Sequence, residues 1–246
     1  MTALRVDRAV VVVPAFNEEA TVGVVVSGIL ASGLSVVVVD DGSVDRTSAR
    51  ARAAGAAVLE LPFNLGVGGA LRAGFRWAVD NGFSIAVQCD ADGQHDPSDL
   101  LRMIEHAMAN DLHLLVGTRF GSTEGFQATW LRRVPMRLLA RVASDAAGTR
   151  MTDASSGFRV IRSPLLNEFA VKYPAYYLGD TFEALVQAGR HGYNVAEIPV
   201  QMHPRAGGVP SAGTGASLRY LARALLVLLI GTGHRYRHFE EVDSVQ

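Results

Sequence analysis

Six apolar runs of strand length punctuate the chain: Ala9 to Val13, Val36 to Val39, Ala57 to Leu61, Ile85 to Cys89, Leu112 to Val116 and Val195 to Val200. Their apolar residues are continuous rather than alternating, which predicts strands buried on both faces. Between them the spacing turns helical over Ala20 to Ala31, Val44 to Ala54, Ala70 to Val79 and Asp99 to Ala109. The first half therefore reads as a βαβα series, and the class it predicts is α/β: a mainly parallel, doubly wound, Rossmann-like sheet flanked by helices. Such sheets bind ligands beyond the carboxyl ends of their strands, so chemistry is expected just after each run.

The second half is less regular. Trp130 to Ala147 has helical spacing, with Arg132, Arg133, Arg137 and Arg141 set among Leu131, Val134, Leu138, Leu139 and Val142. That pattern fits the solvated face of an amphipathic helix or, with Trp130 at its start, a helix docking on a membrane surface. A polar turn, Asp153-Ala154-Ser155-Ser156-Gly157, comes next, then a helix around Thr181 to Gly189, a strand, and a Gly- and Pro-rich stretch from Pro204 to Gly215. The last apolar segment, Leu218 to Ile230, carries Arg219 and Arg223 and is shorter than the roughly 20 apolar residues of a membrane span. It is expected to lie on a membrane surface, cap the core or form an oligomer contact. No internal repeat interrupts the series.

Composition narrows the classes. The 246 residues hold 23 Lys plus Arg against 24 Asp plus Glu, a net charge of −1 that excludes bulk nucleic-acid binding. At 49% hydrophobic residues, whole-chain disorder is excluded as well. The one cysteine, Cys89, makes no internal disulfide and reads as a small core side chain; no signal-peptide core precedes the first run, so a cytoplasmic location is expected.

The first run ends in Pro14-Ala15-Phe16-Asn17-Glu18-Glu19 and the second in Asp40-Asp41-Gly42-Ser43. Helix capping by Ser43 or Asp45 explains one polar residue there, but two adjacent aspartates after four valines exceed that need. The fourth run ends in Gln88-Cys89-Asp90-Ala91-Asp92-Gly93-Gln94-His95. In an extended segment residues two apart project to one side, so Asp90, Asp92 and Gln94 are expected to turn oxygens toward one point. Such a set suits Mg²⁺ or Mn²⁺, which binds through one or two carboxylates plus substrate phosphates. His95 reads as a turn residue. Asp180 and Glu183 stand where acidic groups favour a helix start. Gly66, Gly68, Gly69 and Gly74 fit either a phosphate cradle or close helix packing, and the loop lacks the Lys-Ser/Thr pair of a P-loop.

Six stretches in order, Val11-Val12-Val13-Pro14-Ala15-Phe16-Asn17-Glu18, Val39-Asp40-Asp41-Gly42-Ser43, Asn64-Leu65-Gly66-Val67-Gly68-Gly69-Ala70, Asp90-Ala91-Asp92-Gly93-Gln94-His95, Val116-Gly117-Thr118-Arg119-Phe120 and Ser155-Ser156-Gly157-Phe158-Arg159, resemble the inverting GT-A glycosyltransferases. Within them the chain is most similar to the polyprenyl-phosphate sugar transferases of the dolichol-phosphate mannosyltransferase type. The resemblance implies a single GT-A domain over residues 1–215, followed by an apolar, basic helix and tail over 216–246 that contacts a membrane peripherally or a second copy. It implies a hexose transfer from GDP-mannose or UDP-glucose to a polyprenyl phosphate, at the inner face of the cell membrane. Pro14, Ala15, Phe16 and Glu18 would contact the nucleoside and Asp41 its base. Asp90 and Ala91 would meet the nucleotide sugar, with Asp90, Asp92 and Gln94 on the metal. Arg119, Arg132, Arg133 and Arg159 would receive the acceptor phosphate, and Asp92, Arg119, Asp153 and Arg205 would carry the chemistry. The family's basic loop after the last strand corresponds to His203-Pro204-Arg205-Ala206-Gly207-Gly208-Val209-Pro210-Ser211, which has no lysine; only Arg205 and His203 match it.

Elementary chemistry fits these roles. Negative charge develops on a nucleoside diphosphate as the glycosidic bond breaks, and a metal and an arginine lower that barrier. A phosphate acceptor, with a second pKa of ~6, attacks without a dedicated base, whereas a hydroxyl acceptor would need one, Asp153 being the candidate. A non-catalytic nucleotide-sugar-binding subunit is the third reading, against which the intact Asp90-Ala91-Asp92 speaks.

Overall fold

The structure is a computed structural model that describes residues 8–118, 130–175 and 180–203. Its elements are β1 (Ala9–Ala15), α1 (Val22–Ala31), β2 (Ser35–Asp40), α2 (Thr47–Ala53), β3 (Ala57–Glu60), α3 (Val67–Asp80), β4 (Ile85–Gln88), α4 (Ser98–Ala109), β5 (Leu114–Thr118), α5 (Trp130–Ala147), β6 (Arg159–Arg162), α6 (Leu165–Lys172), α7 (Asp180–Arg190) and β7 (Val195–Pro199). The strands form one sheet in the order β3-β2-β1-β4-β6-β5-β7. β1 pairs in parallel with β2 and β4, β2 with β3, and β5 with β7.

The α/β class and the mainly parallel sheet agree with the sequence pattern, and two details correct it. β6 runs antiparallel to both β4 and β5 and went unmarked by any apolar run, because its four residues are Arg-Val-Ile-Arg. Both arginines are accommodated by donating to backbone carbonyls, Arg162 Nη1 to Ala107 O and Leu112 O at 3.1 and 3.0 Å. β3, expected to be buried on both faces, is an edge strand with exposed ends.

The alternation of the strands divides the core into two layers. Val10, Val12 and Val39 face Phe75 of α3, whose ring meets Tyr173 edge-on at 5.3 Å, and Phe169 of α6 lies in the same layer. Val11, Val13 and Val38 face Ile29 of α1 and Met103 and Ile104 of α4. Glycine lets α3 lie directly on the sheet: a Cβ at Gly74 would stand 2.4 Å from Val12 Cγ1 and 3.0 Å from Val39 Cγ2, so close packing accounts for this glycine. Gly74→Ala therefore sets a helix-propensity gain of about 1 kcal/mol against an overpacking cost of about 1–3 kcal/mol. The expected outcome is a melting temperature lower by several degrees; an unchanged or higher value would show that α3 shifts freely on the sheet.

No helix among the described residues is long and apolar enough to cross a membrane. Arg119, Arg205 and the whole of 204–246, including Pro204 to Gly215, Leu218 to Ile230 and the 216–246 tail, lie outside the described residues, as do the side chains of Arg132 and Arg133 on α5.

Candidate active site

The carboxyl ends of β1 and β2 are stitched together by polar contacts. Asp41 N donates to Ala15 O at 2.9 Å, Asn17 N to Ser43 Oγ at 2.9 Å, Val44 N to Asn17 Oδ1 at 3.0 Å and Glu18 N to Thr47 Oγ1 at 2.8 Å. The adjacent aspartates differ in role. Asp40 accepts from Ser43 N at 2.9 Å and from Ser48 Oγ, so it ties the turn to α2. Asp41 is buried and accepts from Leu65 N at 2.7 Å, joining this loop to the glycine-rich loop before α3. Burial raises its pKa above the ordinary carboxylate value, against the opposing pull of the Leu65 and Gly66 amides. Pro14 and Ala15 end β1, Phe16 stands 46% exposed at the rim, and Glu18 Oε2 accepts from Thr21 Oγ1 at 2.9 Å.

β4 ends at Gln88, one residue before Cys89 and two before the first aspartate. Asp90 and Asp92 are therefore not alternate positions of an extended strand, as the sequence suggested; Asp90 precedes, and Asp92 lies in, a turn that continues through Gly93 at a φ of 75°. Asp92 is buried and its Oδ1 accepts from Gln94 N at 3.0 Å, whereas the Asp90 side chain is 39% exposed. Gly157, from the turn before β6, faces Asp90 so closely that a Cβ there would lie 2.7 Å from Asp90 Oδ2. His95 is not a simple turn residue. Its ring is buried, stacks on Phe158 at 4.5 Å, and accepts from Asp90 N through Nδ1 at 3.1 Å. Since a backbone N–H can only donate, the neutral imidazole carries its proton on Nε2. Cys89 is a buried core thiol whose pKa is pushed up by burial and by the charges of Asp90 and Asp92.

Among the described residues no group of three or more His, Cys, Asp and Glu gathers as a metal cluster. What the loop offers is two carboxylates of unequal exposure, the hard oxygen donors that a Mg²⁺ or Mn²⁺ shared with substrate phosphates requires. The donor set fits such an ion. The described contacts of Gln94 are through its backbone: besides its N–H on Asp92, its carbonyl accepts from His203 N at 2.8 Å.

The opposite wall is the 151–158 turn. Asp153 is buried, its Oδ1 accepts from Ser155 Oγ at 2.9 Å, and its N–H reaches Glu197 Oε2 at 3.3 Å. Arg159, expected at the acceptor phosphate, is turned onto backbone carbonyls. At 1% exposure, its guanidinium donates to Ser156 O at 2.8 Å, Thr181 O at 2.6 Å and Ala154 O at 2.9 Å, and so clamps the turn to the start of α7. Glu197 and Thr152 escaped the sequence reading; the signal was a charge inside the Val195 to Val200 run.

Beyond β7 the chain is led back along the loop from Asp90 to Asp99. Gln201 N donates to Asp99 Oδ2 at 2.7 Å, Met202 bridges His95, and His203 Nε2 stands 3.1 Å from Asp96 Oδ2. The Ser98 amide and hydroxyl, ahead of His203, hold Asp96 below the usual carboxylate range.

The model of the family described as "Glycosyl transferase family 2" matches residues 10–169. The dolichyl-phosphate hexose transferase of Haloferax volcanii is 30% identical over 92% of this chain and 97% of its own. The polyprenol monophosphomannose synthase of Mycolicibacterium smegmatis is 28% identical over 87% and 83%. Glucosyl-3-phosphoglycerate synthase from Mycobacterium tuberculosis, solved with Mg²⁺ and uridine diphosphate, superimposes with a TM-score of 0.71 at 21% identity, covering 93% of this chain and 81% of that one, a likeness of fold. With the family's model matched from β1 through the Asp90–Asp92 turn and β6, the chain belongs to glycosyl transferase family 2 and is a glycosyltransferase.

Proposed function

We propose that this enzyme transfers a hexose from a nucleotide sugar, GDP-mannose or UDP-glucose, to a polyprenyl phosphate, with inversion at C1. The observation that carries the reading is the Asp90–Asp92 turn at the carboxyl edge of the sheet, faced by Gly157, whose missing side chain lets the opposite turn close on the Asp90 carboxylate. Relatives named for polyprenyl- and dolichyl-phosphate transfer support the acceptor.

In this reading the loops after β1 and β2 hold the nucleoside, with Pro14, Ala15, Phe16 and Glu18 around it and Asp41 accepting from N–H groups of the base. Asp90 and Asp92, with Ala91 between them and Gln94 behind, would hold a divalent ion on the diphosphate, which would offset charge developing on the leaving group. Asp153 faces the acceptor side. With a phosphate acceptor already ionised near neutral pH, it orders the acceptor rather than deprotonating it. Arg119 and one of Arg132 and Arg133 are assigned to the acceptor phosphate, and Arg205, with His203, to the diphosphate, because planar guanidinium forks match phosphate oxygens. Peripheral attachment to a membrane is assigned to the start of α5 or to the 216–246 tail.

The test is transfer of radiolabelled sugar from each donor to a short polyprenyl phosphate, with and without Mn²⁺. Metal-dependent label in the organic phase is expected. Slow hydrolysis of both donors with no labelled lipid would sink the acceptor claim and point to a soluble hydroxyl compound, with Asp153 as base.

The raised pKa of Asp41 gives a second expectation. A carboxyl whose folded pKa is raised binds its proton more tightly in the native state, so its contribution to stability declines as pH rises from its unfolded value through the folded one. A nucleobase that needs the anion as acceptor meets the opposite slope: affinity for UDP or GDP, followed by calorimetry, is expected to fall as pH drops through that raised pKa. Asp41→Asn should flatten the profile, and an unchanged profile would remove Asp41 from base recognition.

A further inference from the structure

Glu197 lies on β7, at the edge of the sheet, opposite Val116 of β5. Its strand neighbours two residues away on the same face are Val195 and Pro199, and Val195 joins the core layer beneath α3 and α6. An apolar residue would complete that face at no electrostatic cost, whereas a half-buried carboxylate must find donors. It finds three, all from the two residues that begin the 152–157 turn. Oε2 accepts from Thr152 N at 2.7 Å and Asp153 N at 3.3 Å, and Oε1 accepts from Thr152 Oγ1 at 2.7 Å. The Thr152 hydroxyl thus spends its one proton on Glu197, so in its 3.1 Å contact with Thr118 Oγ1 the Thr118 hydroxyl is the donor. A directed chain runs from the last residue of β5 through Thr152 to the β7 carboxylate.

We propose that Glu197 is a positioning residue for sugar transfer: its carboxylate pins the Thr152–Asp153 backbone to the sheet edge and thereby fixes where the Asp153 carboxyl meets the acceptor. The inference rests on the acceptor-side reading of Asp153. It makes the end of β5 and the start of the Asp153 turn one unit, held by a charge on β7. Asp41 and Asp92 are supported by Leu65 and Gln94, and Asp90, which faces Gly157 at the far end of the turn, has a support of its own in His95.

Three variants test it. Glu197→Leu removes all three acceptors. Glu197→Gln keeps an oxygen for the two amides and turns an NH₂ toward Thr152, whose hydroxyl must reverse toward Thr118. Displacement of a reacting group by about 1 Å costs about 10²-fold, so Glu197→Leu is expected to lower kcat for transfer by about that factor and Glu197→Gln by about 5-fold. The dissociation constants for UDP and GDP with Mn²⁺ should stay within about twofold of wild type, because the nucleotide end is supported separately. Combined with Asp153→Asn, Glu197→Leu should cost less than about 3-fold further, since a residue acting through another adds little once that one is gone.

Fully additive losses, or a nucleotide dissociation constant that rises as much as kcat falls, would overturn the proposal. If Glu197→Leu fails to fold, the Glu197→Gln cycle decides. A wild type that labels no lipid refutes the acceptor reading, and the cycle is then read in donor hydrolysis. A measurement needing no turnover completes the test: hydrogen exchange at the Thr152 and Asp153 amides should quicken at least about tenfold in Glu197→Leu, with Val160 and Ile161 unchanged. Unaltered exchange at Thr152 and Asp153 would overturn it.

Discussion

Replacing Arg159 by leucine is expected to lower the melting temperature by roughly 10 °C. The side chain is 1% exposed, and its three nitrogens donate to the carbonyls of Ser156, Thr181 and Ala154, which joins the turn before β6 to α7. Leucine fills much of the volume but removes all three donors, and a buried acceptor left without a partner costs about 1–3 kcal/mol. Allowing for local relaxation, a loss of about 3 kcal/mol is the modest outcome, a large part of the roughly 5–15 kcal/mol that holds a domain together. Arg159→Lys should recover little, because a single ammonium cannot span three carbonyls arranged for a planar fork. Thermal unfolding followed beside the acceptor KM separates two roles. A clamp lowers the melting temperature, whereas an arginine in direct contact with an acceptor phosphate would raise KM in a protein of unchanged stability. The second pattern would restore the role that the sequence resemblance implied.

Asp92→Asn is expected to lower metal-supported transfer by about 10³-fold while moving the melting temperature by no more than about 2 °C. Asparagine retains an oxygen at the position of Oδ1, so the hydrogen bond from Gln94 N that closes the turn survives and the loop keeps its shape. What is lost is one of two negative charges available to a divalent ion. The measurement is kcat across a Mn²⁺ titration; undiminished transfer at wild-type Mn²⁺ concentrations would remove Asp92 from the mechanism. Gly157→Ala probes the same place sterically from the far wall. Its Cβ would stand 2.7 Å from Asp90 Oδ2, so the carboxylate or the turn must move. Transfer should fall by about 10- to 100-fold without loss of the charge. Wild-type activity in this variant would mean that the Asp90 position is adaptable.

The sequence was legible where a single element decides. Four consecutive valines make β1 and β2 buried strands, and β4 followed from its own continuous apolar run. The same logic located Asp41, Asp90 and Asp92, because residues that follow buried strands of an α/β sheet come to its carboxyl edge whatever the helices do. It failed where a partner from a distant part of the chain decides. β6 is a strand only because β4 and β5 stand on either side of it, and its two arginines are tolerable inside only because carbonyls up to 55 residues away accept from them.

Sequence order alone therefore determined the class of fold, the family and the carboxylates at the sheet edge, since burial periodicity and motif order are local properties of the chain. Tertiary structure decided what each polar group does. It tied Asp40 to Ser43 and Asp41 to Leu65 although they are adjacent; it turned the Arg159 guanidinium onto three carbonyls and drew Glu197 from β7 to Asp153, 44 residues away in the chain. The physical reason is that a buried polar group takes its role from the partners that satisfy it, and those partners are chosen by packing.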